Sequence, residues 1–75
     1  HPGAEAFYVI DGEQCVETPD DQKRIKPGEH YVVDGGPHLQ SAPKGRRSLV
    51  LLLVPEGQPW IQIRNDWTPT GFCDR

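Results

Sequence analysis

Apolar residues fall in short runs separated by turn chemistry, and no stretch holds the three-and-four spacing of a helix. The runs are Ala6 to Ile10, Gln14 to Thr18, Lys23 to Lys26, His30 to Val33, His38 to Ser41, Ser48 to Val54 and Trp60 to Arg64. Each is strand-length and most are rich in β-branched or aromatic residues. Between them stand Asp11-Gly12, Thr18-Pro19-Asp20, Lys26-Pro27-Gly28, Asp34-Gly35-Gly36-Pro37, Ala42-Pro43-Lys44-Gly45 and Pro55-Glu56-Gly57. This regular punctuation predicts an all-β domain. Asp11-Gly12 further predicts a tight hairpin joining Ala6–Ile10 to Gln14–Thr18, because both residues tolerate the positive φ that such a turn uses.

Two runs, AFYVI and SLVLLLV, are apolar at both parities instead of alternating. A strand of that kind is expected to be covered on both faces. Either the sheet curls into a barrel whose outer face meets another subunit, or a second sheet and the tail lie over it. A homodimer is the expectation, through the edge at the start of the chain. The segment 1–59 reads as the core, and 60–75 as a last strand, WIQIR, followed by an irregular tail. Trp67 and Phe72 in that tail cost too much to leave in water and are expected to pack on the core or on a neighbour.

With 75 residues the chain is one domain at most, and a globule of that size hides only about 60% of its unfolded surface. The absence of Met implies that the boundary at His1 is not a translation start. A net charge of −3 speaks against nucleic acid, which is held by dense cationic surfaces. The basic residues Lys23, Arg24, Lys26, Lys44, Arg46 and Arg47 are interleaved with acids and read as solvated turn and edge positions. The longest apolar run, Leu49 to Val54, is far short of the roughly 20 residues of a spanning helix, so a soluble domain with no membrane partner is expected. Cys15 and Cys73 either form one disulfide or are separate thiols, one in a strand and one in the tail. The second alternative is the expectation from sequence.

The run HPGAEAFYVIDG carries His1, Glu5 and Gly12 in an order that resembles the end of the first sequence motif of the cupin family of small β-barrels. The stretch GEHYVVDGGPH, ending in His38, is similar to the second cupin motif. The resemblance spans roughly Ala4 to Pro59. It departs from the family pattern where Val33 or Asp34 takes a proline slot and Ala42 an asparagine slot, and the gap before His38 is one residue short. The fold it implies is a small antiparallel jelly-roll β-barrel or half-barrel, truncated at its N-terminal side. The ligand set it implies is His1, Glu5 and His38 around a divalent transition metal (Fe, Mn, Ni, Cu or Zn), with one further histidine upstream of His1. Cupin-like domains that keep the barrel and lose the metal make a metal-free chain the alternative.

In a straight strand His1 and Glu5 would stand about 13 Å apart, so shared ligation requires a bend, for which Pro2-Gly3 is suited. Two imidazoles and one carboxylate would leave positions open on a first-row ion for a small oxygen-bearing molecule. Phe7, Tyr31, Cys15 and Leu51 are the expected walls of the ligand pocket. Three functions follow from this reading: a metal-dependent enzyme, a non-enzymatic small-ligand module, and a dimerisation unit with a vestigial site. His30 reads as a surface residue. Phosphate-loop, CxxC and nucleophile-elbow patterns are missing from the sequence.

Overall fold

Six antiparallel strands among the described residues build two three-stranded sheets. In the computed structural model, which describes residues 3–59 and 67–74, they are β1 (Glu5–Gly12), β2 (Gln14–Glu17), β3 (Gln22–Ile25), β4 (His30–Val33), β5 (Leu39–Ser41) and β6 (Arg46–Leu52). The first sheet has the order β4-β1-β6 and the second β3-β2-β5. The all-β expectation holds, and six of the seven apolar runs are strands whose ends differ from the expected ones by at most two residues. The seventh, Trp60 to Arg64, lies outside the described residues. Among the described strands no pairing joins one sheet to the other, so the barrel expected from sequence is not closed.

The hairpin expected at Asp11-Gly12 does not form. β1 runs through both residues, pairing Asp11 with Arg47 and Gly12 with Arg46, and β2 belongs to the other sheet. The physical reason is local. A register shift between Val9 and Asp11 bends β1 toward the corner, as bulges do. Only Gly12 takes a positive φ, 77°, whereas the two-residue turn needs it at both positions. Gly12 is also required sterically, because a Cβ there would lie 2.3 Å from the Gly45 carbonyl oxygen. Glu13 then carries the chain across to β2.

Between the sheets, Phe7, Val9, Val16, Ile25 and Val33 form the core, with Tyr31 packed against it. The register explains which side chains meet: Phe7 lies opposite Tyr31 on β4 and Val50 on β6, and Glu5 opposite Val33 and Leu52. Directly paired residues share a face, so Glu5, Phe7 and Val9 point inward while Ala6, Tyr8 and Ile10 point outward. A second link between the sheets comes from Tyr31, whose hydroxyl donates to the Asp21 carboxylate at 2.6 Å.

On the second sheet β2 is buried on both faces. Val16 and Gln14 face the core side. Cys15 and Glu17 face outward, where the tail 67–74 covers them. Cys15 and Cys73 are joined in a disulfide with a Cα–Cα distance of 5.6 Å, which corrects the expectation of two separate thiols: the tail folds back over β2 and brings the two residues together. The Thr70 amide donates to Glu17 Oε2 at 2.9 Å. Arg24 donates to the Phe72 carbonyl at 3.0 Å and lays its guanidinium over the Phe72 ring at 4.7 Å. Phe72 and Trp67 are half-buried, as their size led one to expect.

Candidate metal-ligand site

Glu5 is the first inward-facing residue of β1, and His38 follows the Asp34–Pro37 turn that leaves β4. The antiparallel pairing of Glu5 with Val33 places the start of β1 beside the end of β4, so a four-residue reversal suffices to return His38 toward it. Gly36 takes φ 127° within that reversal, a conformation nearly closed to other residues. The result is that His38 Nε2 stands 3.4 Å from Glu5 Oε1, with both side chains more than nine-tenths buried. The edge of the Phe7 ring abuts the imidazole, with centroids 6.2 Å apart and planes inclined at 70°.

Burial dominates the electrostatics here. It raises the Glu5 pKa above the ordinary carboxylate value, with the Arg46 charge acting in the opposite sense. It lowers the His38 pKa, against which a hydrogen bond with the Gly36 backbone works. Both groups are therefore driven toward their uncharged forms. For the imidazole, that is the form that binds a metal.

A charge-assisted hydrogen bond of this type closes to about 2.7–2.9 Å, and two donors each about 2.1 Å from one tetrahedral ion stand roughly 3.4 Å apart. The pair is longer than the first and compatible with the second, as it is with plain contact between two uncharged groups. In donor chemistry Glu5 and His38 could serve as two ligands of one divalent ion. His1, the third ligand implied by the sequence, lies outside the described residues. Gly3, two residues further on, is pressed so closely on the chain that a Cβ would meet the Leu53 carbonyl. Among the described residues no group of three or more metal-binding side chains occurs.

The four expected wall residues do not share a pocket. Phe7 is core, and Leu51 is 65% exposed on the outside of the first sheet. Tyr31 lines a cleft of about 280 Å³ that runs from Thr18–Asp20 to the Gly35–Pro37 turn carrying His38. Cys15 lines a separate depression of about 400 Å³ with Glu13, Arg24, Pro43 and Lys44. The reason is the sheet crossing at Glu13, which puts Cys15 on the far side of the second sheet from Phe7. His30 is exposed.

Sequence reading missed two polar contacts, Asp21 with Tyr31 and Glu17 with the Thr70 amide. Neither carries a local signal, since each joins positions fixed only by the packing of separate elements. No family model, no curated protein and no solved structure matches this chain. No helix among the described residues is long and apolar enough to cross a membrane.

Proposed function

We propose that this chain is a small metal-binding module of the cupin type, in which His38 Nε2 and Glu5 Oε1 hold a divalent transition metal at the inner end of β1. The observation that carries the reading is the 3.4 Å approach of two buried metal-ligating groups that are 33 positions apart in the chain. The ordered His1, Glu5, Gly12 and His38 of the sequence support it. A divalent ion beside Glu5 would offset the cost of ionising a carboxyl group whose charged form burial disfavours. It would leave open coordination positions and act there as a Lewis acid toward a small oxygen-bearing organic molecule. The chain's own contribution is to hold the neutral imidazole against Phe7 and to keep water away from the carboxyl group.

Zinc and manganese binding to the purified chain tests this. Near-stoichiometric metal and a raised melting temperature are expected, since a ligand selective for the folded state stabilises it. Glu5→Gln and His38→Asn should each abolish both effects. Because metal binding displaces protons, affinity should fall as the pH is lowered. Wild-type protein that melts at one temperature with and without either ion would overturn the reading.

A further inference from the structure

The eight exposed large hydrophobic residues among those described all lie on β1, β4, β6 or the two residues after β6. The second sheet contributes none. Six of them are placed on one face by the register: Val32 and Leu51 flank Ala6, Leu49 lies beside Tyr8, Leu53 continues the β6 row, and Ile10 follows at the bulge. Leu49, Leu51 and Leu53 are each more than 60% exposed. This is the outer face of the first sheet, and it is apolar apart from His30, which lies opposite Tyr8 on the β4 edge. Arg47 and Asp11, at one end, are already paired with each other at 2.6 Å.

We propose that this face packs against the same face of a second copy of the chain, related by a two-fold axis through the neighbourhood of Tyr8. Three arguments select that occupant. First, beyond the Asp11–Arg47 pair the face carries no Asp, Glu, Lys or Arg, and its polar member, His30, stands at the β4 edge beside Tyr8, so two copies meet apolar row to apolar row, the self-matching that an isologous interface requires. Second, the six large apolar side chains are between 40% and 65% exposed and contiguous, the kind of patch that marks an association site once it exceeds a few hundred Å², and a specific pair of such faces needs about 1,200 Å² in total. Third, a three-stranded face with outward apolar side chains stacks on another at about 10 Å, as aligned sheets do. The pairing would supply the second-face cover that the unbroken apolar run of β1 calls for and would cover the outer side of β6, whose Val50 stays 46% exposed on the other side. It stands apart from the metal reading and holds whether or not Glu5 and His38 take an ion.

Sedimentation equilibrium of the intact chain decides the matter. A dimer is expected for the wild type. Leu49→Lys combined with Leu51→Lys should weaken association by about 100-fold, at roughly tenfold for each 1.4 kcal/mol lost, with an unchanged circular dichroism spectrum. Lys44→Glu, away from this face, should leave the dimer intact. If the double variant does not fold, Val32→Lys on β4 serves in its place by the same criterion. A monomeric wild type overturns the proposal, including one that binds neutral phospholipid vesicles through this face. A dimer unaffected by the lysines on β6 and on β4 overturns it equally.

Discussion

The two outward faces of this domain are opposites. The second sheet turns Cys15, Glu17, Gln22, Arg24, Leu39 and Ser41 outward, a largely polar set, and yet it is this face that the chain covers with its own tail. The first sheet turns out Tyr8, Val32, Leu49 and Leu51, and among the described residues nothing lies over them. Cover thus does not follow hydrophobicity alone. The polar face is closed by specific bonds that a tail can make one at a time: a disulfide, an amide to a carboxylate, and a guanidinium over a ring. The apolar face offers no such directional partners. Its only gain is area, and area on that scale needs another broad surface.

The contrast can be broken most forcefully from the covered side. Replacing Cys15 and Cys73 with serine removes a cross-link between residues 58 apart, worth about 4 kcal/mol in the chain-entropy account. That is a large share of the stability of a small domain. Urea denaturation should show the loss, and hydrogen exchange should show the amides of 70–74 opening first. Little change in midpoint would mean that the tail is held by its polar contacts instead.

Glu17→Ala tests those contacts. It strips the Thr70 amide of a buried acceptor and should cost about 1–3 kcal/mol, while Glu17→Gln, which keeps an acceptor oxygen, should cost less. Equal losses would show that the side chain acts by packing and not by accepting that bond. On the open face the expectation reverses. Leu51→Lys, measured at concentrations where the chain is monomeric, should shift stability by no more than about 0.5 kcal/mol, as at other exposed positions. A larger loss would mean that the face is covered within one chain.

The smallest expected effect lies between the sheets. The Tyr31 hydroxyl lowers the Asp21 pKa, and the Tyr31 pKa is itself pushed up to about 12 by burial first and by its bond to Asp21 second. A carboxyl group with a lowered folded pKa contributes stability above its ordinary value and loses it as the pH falls through the folded one. The phenol contributes fully below its ordinary pKa near 10 and loses that contribution as the pH rises toward about 12. Melting curves of wild type and Tyr31→Phe should therefore converge at the acid end, below pH about 4. A constant offset across that range would assign the difference to packing.

Much of this was legible in the residues. Strand positions follow from short β-branched runs between glycine and proline turns, because those signals act over a few residues and survive any arrangement of the elements. The resemblance grouped His38 with Glu5, and the structure brings these two together, while His1 lies outside the described residues. The expected hairpin after β1 failed because Asp11-Gly12 is compatible with either a turn or a corner. The choice was made by pairing with Arg46 and Arg47, more than 30 positions away.

By itself the sequence determined an all-β domain, the places of its strands, and that β1 and β6 are suited to cover on both faces. The tertiary structure decided which strands are neighbours, that Cys15 meets Cys73, and which of two faces the tail closes. The division has one physical cause. Backbone preference and side-chain alternation are written into consecutive residues, whereas contacts such as Glu5 with His38 or Glu17 with Thr70 exist only after loops have closed and sheets have stacked, and nothing local records them.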